Sequence, residues 1–212
     1  MILNKLEFLL MNNVIRKFIR DKYEAKNLRK ASHLPKGKVI LEIGCGDGSG
    51  TQSIQKYFRP QKIHGIDLDP RMIEVANREK SGLGVSFSVG DIEKLKFKNN
   101  QFDAVMDFGV IHHVPNWKKG LRELKRVLKT DGELILEDLS IDTFNTPVGK
   151  IFKRLLNHPY KSMYAEKEFT EYLKTLGFEI TRHESRNPLG LMKYFIIVAR
   201  KSKQNNREAS RK

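Results

Sequence analysis

The sequence predicts an α/β fold, and three observations carry that prediction. From Lys38 onward, short apolar runs alternate with amphipathic segments of helical period. The leading run, "KVILEI", is continuously apolar, as expected of a parallel strand covered on both faces. It passes at once into "GCGDGSG", with glycines at 44, 46, 48 and 50, where a strand-to-helix turn lets backbone approach a ligand closely.

The elements follow in order. "GTQSIQKYF" reads as the first helix of the repeat and "KIHGID" as the second strand. "PRMIEVANREK" opens with Pro70 at a helix N-terminus and puts Met72, Ile73 and Ala76 on one face. "VSFSV" is a third strand, ended by a turn at Gly90-Asp91, and "FDAVMDF" is a fourth. "NWKKGLRELKRVLK" lines up Trp117, Leu121, Leu124, Val127 and Leu128, with Trp117 expected in the core. "GELILEDL" is the fifth strand. "EKEFTEYLKTLGF" is a helix with Phe169, Tyr172, Leu173 and Leu176 on its face and Gly177 as its C-cap. "FEITRHE" and "YFIIVAR" close the pattern as two strands with no helix between them, so one of them runs antiparallel.

Residues 37–200 therefore form the patterned domain. Residues 1–36 read as an N-terminal helical extension. Leu3, Leu6, Leu9 and Leu10 cluster there, and beyond Asn12-Asn13 the residues Val14, Ile15, Phe18 and Ile19 oppose Arg16, Lys17 and Arg20. Such a helix either packs over the domain or makes a peripheral membrane contact. Residues 141–165 break the rhythm and read as a lid-like insertion, and 201–212 as a basic disordered tail.

At 212 residues, 39% hydrophobic and 31% charged, the composition is that of a globular domain with a sizeable core. No apolar run approaches the roughly 18 residues of a membrane span, and "LEFLLM" lacks the cleavage site of a signal peptide. The single cysteine, Cys45, excludes an internal disulfide and a cysteine-based metal cluster; no metal is expected, and a cytoplasmic setting is the default. The net charge is +15, of which residues 1–36 carry +6 and residues 201–212 carry +4. This excess suits either an anionic partner or simply a well-solvated surface.

The glycine turn invites a nucleotide, yet G-x-G-x-x-G is not met and no Lys-Ser/Thr pair follows to make a phosphate loop. Glu42, two residues before Gly44, would repel a pyrophosphate and suits a cationic ligand. Asp67, at the end of "HGID", is placed to accept hydrogen bonds from ribose hydroxyls. Leu68 offers an apolar face to a base, and Asp91 is placed to take an exocyclic amine proton. A nucleoside without phosphate, bearing a cationic arm, is S-adenosylmethionine.

With these residues in hand, the chain resembles class I S-adenosylmethionine-dependent methyltransferases and is similar to the ubiquinone/menaquinone-biosynthesis group. "LEIGCGDGSG", "IHGIDLDPRMIEVA", "FSVGDIEKLKFKNNQFDAV", "MDFGVIHHV" and "LKRVLKTDGELILED" match its successive motifs, strongly from about Lys38 to Gly132 and weakly beyond. The resemblance implies a Rossmann-like, seven-stranded, mostly parallel sheet with helices on both faces and a reversed last strand. It implies that Gly44, Cys45 and Gly46 contact the methionine part of the cofactor, Asp67 the ribose, and Asp91 with Ile92 the adenine. Asp107 and Phe108 close the fourth-strand edge, and Met72 joins the cofactor-binding set. The chain departs from the family at Thr130-Asp131, in a turn far from the cofactor, and at Asp107, where relatives carry a small polar residue. Asp107 can serve the cofactor's ammonium group or the substrate.

His112 and His113 follow the fourth strand, where one can act as general base or both can pack and cap. His158, Tyr160 and Tyr164 in the insertion are candidate substrate contacts, or loop packing. Cys45 fits its turn by being small. The expected function is methyl transfer to a small hydrophobic acceptor at oxygen or carbon, with Leu9, Leu10, Phe144, Ile151 and Phe152 as available apolar residues. Two alternatives stand beside it. The basic charge suggests RNA methylation, although the fourth strand ends "DFGV" and not in the Asp/Asn-Pro-Pro-aromatic pattern that grips a base amine. The other is a protein that binds the cofactor without turning it over.

Overall fold

A computed structural model describes residues 20–80, 82–155, 159–188 and 193–202. The two apolar patterns expected within residues 1–19, His158, and most of the basic tail lie outside the described residues, as does the side chain of Phe152. Seven strands form one sheet: β1 (Val39–Ile43), β2 (Lys62–Asp67), β3 (Val85–Val89), β4 (Phe102–Phe108), β5 (Leu128–Asp138), β6 (Phe178–Arg186) and β7 (Tyr194–Lys201). Their order is β3-β2-β1-β4-β5-β7-β6. The first five pair in parallel, while β7 runs antiparallel to both β5 and β6, as the closely spaced last two strands imply.

Six helices accompany the sheet among the described residues: α1 (Ala25–Ala31), α2 (Ser49–Phe58), α3 (Pro70–Arg78), α4 (Trp117–Val127), α5 (Pro147–Leu155) and α6 (Glu166–Thr175). α1 is entered through a π-helical turn at Arg20–Glu24. The continuous apolar runs have their explanation here, because successive strand residues serve two cores. Ile40, Ala104, Met106, Ile135 and Val198 pack with Ala25 and Leu28 of α1 and with Ile54 and Phe58 of α2. Leu41, Ile43, Val105, Leu134 and Ile197 pack with Trp117, Leu121 and Leu124 of α4 and with Phe169 and Leu173 of α6. Each such side chain contributes about 1.5–3 kcal/mol when fully buried. Trp117 sits in this second core, its ring 5.0 Å from Tyr164 and 5.7 Å from Phe169.

The chain leading into β1 is anchored by polar contacts as well. Ser32 donates its hydroxyl to Glu133 at 2.9 Å and accepts the Leu34 amide at 3.0 Å, so α1 is pinned to β5. The start of β5 differs from the sequence reading. Leu128, placed on the preceding helix by its period, opens β5, and the Thr130-Asp131 turn lies inside that strand, at the irregularity between the pairs Phe102↔Leu128 and Ala104↔Glu133. Asp131 takes a left-handed conformation there (φ 62°), which an aspartate tolerates better than most residues.

The 141–165 segment holds a 3₁₀ turn at Ile141–Asn145 and then α5. Its two ends are tied together, because the Ile141 amide donates to the Tyr164 carbonyl at 2.9 Å. Of the apolar residues expected to meet an acceptor from this segment, Phe144 is buried and Ile151 is exposed to solvent. Among the described residues no helix is long and apolar enough to cross a membrane, and no group of three or more His, Cys, Asp or Glu side chains could hold a metal ion.

Candidate active site

The strand order reverses between β1 and β4, and a crevice opens beyond the carboxyl ends of the strands at that point. A cavity of about 340 Å³ fills it. Its floor is the turn joining β1 to α2. Gly44 (φ 59°) and Gly46 (φ 54°) hold left-handed conformations that other residues rarely adopt. A Cβ on Gly44 would lie 2.3 Å from Cγ2 of Val110, whereas one on Gly46 would meet nothing within 4 Å. The first glycine is thus demanded by close packing, and the second leaves backbone facing open space. The turn is held to the next strand by the Cys45 amide, which donates to the Ile66 carbonyl at 2.9 Å.

Asp67, ending β2, is placed by two backbone donors. The Gly46 amide reaches Oδ2 and the Asp69 amide reaches Oδ1, both at 2.9 Å. Each oxygen keeps a lone pair for a ligand. Burial pushes the Asp67 carboxyl above the usual range, against the pull of these two amides on its charged form. Asp69 then caps α3, accepting the Arg71 amide at 3.0 Å and pairing with the Arg71 guanidinium, which holds its carboxyl below the usual range. Leu68, Met72 and Ile92 supply apolar wall beside Asp67 and Asp91.

Among the described residues the cavity is lined by five carboxylates, those of Asp47, Asp67, Asp69, Asp91 and Glu93, and by no Lys or Arg. Such a rim repels phosphates and favours a cation. The opposite wall is the stretch after β4, through Gly109, Val110, His113, Val114 and Pro115.

Behind that stretch lies a buried polar cluster. Asp107 ends fully buried; its Oδ1 accepts the Val110 amide at 2.8 Å, and its Oδ2 has no hydrogen-bond partner among the described residues. Burial, and then the neighbouring Asp138 carboxylate, push the Asp107 carboxyl well above the usual range. Asp138, at the end of β5, accepts the His112 ring Nδ1 at 2.5 Å, the His112 amide at 3.2 Å, the Leu139 amide at 2.7 Å and the Tyr164 hydroxyl at 2.7 Å. The same burial and the same carboxylate push the Tyr164 phenol upward.

The candidate residues thus fall into two groups. Gly44, Gly46, Asp67, Leu68, Met72, Asp91, Ile92 and His113 come together on the cavity wall. Glu42, Cys45, Asp107, Phe108, His112, Tyr160 and Tyr164 do not line it. Glu42 was expected to face the ligand, but its buried carboxylate accepts the Thr51 hydroxyl of α2. Strand alternation carries the reason: Leu41 and Ile43 face the core built with α4 and α6, so Glu42 between them points to the opposite face, where α2 lies. Cys45 is buried, and burial followed by Glu42 and Asp67 raises its thiol, which suits a small filler and not a redox centre. Phe108 belongs to the core shared with α1 and α2. Tyr160 packs against Phe144 with ring centroids 5.0 Å apart.

Asp47, Asp69 and Glu93 line the cavity without having been singled out from the sequence. Asp69 had a signal, since Asp before Pro70 marks a helix cap. Asp47, inside the glycine turn, and Glu93, two residues after Asp91, had only their proximity to candidates.

Comparison with known proteins agrees with this geometry. Residues 41–136 match the family model described as "Methyltransferase domain". Over 130 residues the chain is 32% identical to a phthiotriol/phenolphthiotriol dimycocerosates methyltransferase of Mycobacterium leprae, covering 57% of this chain and 48% of that protein. It is 35% identical over 102 residues to a fatty-acid O-methyltransferase of Mycolicibacterium smegmatis, covering 48% and 37% respectively. An uncharacterized protein of Methanocaldococcus jannaschii is 36% identical over 152 residues, covering 69% of this chain and 67% of that one. The chain spans about half, or less, of the length of the two named enzymes. In fold it is similar to a SAM dependent methyltransferase from Aquifex aeolicus, with TM-score 0.72 at 20% identity, covering 94% of this chain and 100% of that one. These relatives do not single out the ubiquinone/menaquinone group.

Proposed function

The chain belongs to the methyltransferase-domain family and has its class I fold, and from that premise we propose that it transfers a methyl group from S-adenosylmethionine to a small hydrophobic acceptor, at oxygen or carbon. One observation carries the reading: a glycine-floored cavity ringed, among the described residues, by five carboxylates and by no Lys or Arg. S-adenosylmethionine has a nucleoside body, no phosphate, and cationic sulfonium and ammonium groups. A dinucleotide or a nucleoside triphosphate would place its phosphates against this acidic rim.

In this reading the Gly44–Gly46 backbone receives the methionine end. Asp67 accepts the ribose hydroxyls through the lone pairs its backbone donors leave. Asp91 takes the adenine amine, and Leu68, Met72 and Ile92 cover the ring faces. The bound cofactor supplies an activated methyl group on a sulfonium. The acceptor wall is apolar at Val110, Val114 and Pro115, with His113 set among them. These residues hold the acceptor in line, and such positioning accounts for roughly 7–11 kcal/mol of barrier lowering in well-oriented reactions. Held by the Gly44–Gly46 turn and Asp67, the cofactor would supply an electrophilic methyl group to an acceptor on this wall and would leave as the neutral thioether. Where the acceptor is a hydroxyl or an acidic carbon, His113 takes its proton. A carboxylate acceptor needs no base. The names of two relatives, one a fatty-acid O-methyltransferase, support a lipophilic acceptor.

The test is calorimetric titration of S-adenosylhomocysteine, with NADH as the control ligand. Micromolar binding of the first and none of the second is expected. A folded protein that binds neither would overturn the reading. Binding without methyl transfer to any of a broad panel of lipophilic acids, phenols and quinols would favour a cofactor-binding protein without catalysis.

A further inference from the structure

The adjacent histidines after β4 have different surroundings. His113 lines the cavity, while His112 is buried and turned to Asp138. Their rings remain in contact, with centroids 4.0 Å apart and planes inclined by 37°. Both lie in one 3₁₀ turn, Ile111–His113, so the orientation of one constrains the other. The partner holding His112 is itself held by Tyr164, which belongs to the 141–165 insertion and is fully buried.

We propose that Asp138 and Tyr164 are positioning residues for methyl transfer: acting through His112, they set the orientation of His113 on the acceptor wall, and so place that wall under the control of the insertion. The proposal rests on the methyl-transfer reading above. Its geometric basis is the concentration of donors on one carboxylate. Asp138 takes both the backbone amide and the ring of His112, together with the Tyr164 hydroxyl and the Leu139 amide. A buried carboxylate with this many partners is a poor device for stability alone, because its desolvation offsets much of what its bonds contribute. It is an effective device for fixing one ring orientation, since moving the ring would strand a buried charge. Asp107 anchors the same stretch from its other end through the Val110 amide. The insertion, though none of its described residues lines the cavity, therefore reaches it through Tyr164, Asp138 and His112.

The test uses the full chain labelled with ¹⁵N-histidine and long-range imidazole spectra recorded across pH. Asp138 faces the His112 ring and the two rings face each other, while Tyr164 and Asp107 lie beside Asp138. Wild-type His112 is expected to show the coupling of an Nδ1–H donated to Asp138. In Tyr164→Phe, which retains the ring packing against Trp117 and Phe169, the His113 tautomer signals and titration midpoint are expected to shift, although nothing that lines the cavity has changed. Asp138→Asn should shift them further. His113 signals that stay at their wild-type positions in a folded Tyr164→Phe protein would overturn the proposal, whether or not Asp138→Asn folds. Loss of S-adenosylhomocysteine binding by the wild type would instead overturn the methyl-transfer reading and leave the spectra to decide the coupling.

Discussion

The amide of Gly46 donates to the carboxylate of Asp67 at 2.9 Å, so the glycine turn after β1 and the end of β2 form one rigid corner of the cavity. The ligand-facing acid is thereby oriented before any ligand arrives. In the proposed reading, replacing Asp67 with Ala removes the acceptors for the ribose hydroxyls, and it also removes the tie to Gly46. Hydrogen bonds to charged groups contribute about 1.5–3 kcal/mol each, so the affinity for S-adenosylhomocysteine should fall at least tenfold. Calorimetry on the wild type and Asp67→Ala checks this, and equal affinities would remove Asp67 from the site.

Gly44→Ala should destabilise the domain for two separable reasons. The left-handed backbone costs an alanine about 1–2 kcal/mol, and the new Cβ would meet Val110. Thermal unfolding should show a drop of several degrees, and the double variant Gly44→Ala/Val110→Ala should recover only the steric part. Recovery to the wild-type midpoint would mean that the backbone conformation carries no cost.

Asp107 gives a stability effect of predictable sign. Its folded-state carboxyl titrates well above the ordinary value of 3.8, chiefly through burial and then through Asp138. Over the interval between those two pKa values the native state binds more protons than the unfolded state, so this group's contribution falls as pH rises. Asp107→Asn keeps an acceptor for the Val110 amide and cannot ionise. Its stability relative to the wild type should therefore improve steadily as pH rises from about 4 towards neutrality. Denaturant titrations at several pH values would measure the difference, and a constant offset would contradict the assignment.

Leu121, fully buried in the core under α4, and Leu83, 99% exposed before β3, make a paired control for the packing. Leu121→Ala should cost about 2–5 kcal/mol. Leu83→Ala should stay within about 0.5 kcal/mol of the wild type. Comparable effects of the two changes in denaturant unfolding would show that the sheet and α4 do not form the core described.

Most strands were legible to within a residue because the central ones, such as β1 and β4, are buried on both faces, and because glycine, proline or polar turns mark the strand ends. "KIHGID", "VSFSV" and "FDAVMDF" coincide with β2, β3 and β4. β5 was misplaced at its start because Thr130-Asp131 has the composition of a turn, and only pairing with β4 draws Leu128–Asp131 into the longer strand. The corner made by Gly44, Gly46, Asp67 and Asp91 was equally legible, since a strand's carboxyl end fixes which residues stand at the sheet's rim.

What the sequence determined by itself, then, is the alternation of strands and helices, the glycine turn, and the acids at the strand ends. Each depends on local backbone geometry or on a periodicity spanning a few residues. Which acids face the ligand, and which of two neighbouring histidines does, was decided by tertiary structure alone. Glu42 turns to Thr51 and His112 to Asp138 because partners on other elements, nine and 26 residues away, satisfy their buried polar groups. Tyr164 reaches Asp138 across 26 residues. No local pattern records such pairings, because the cost of a buried unsatisfied polar group is felt only once the chain has brought its partner near.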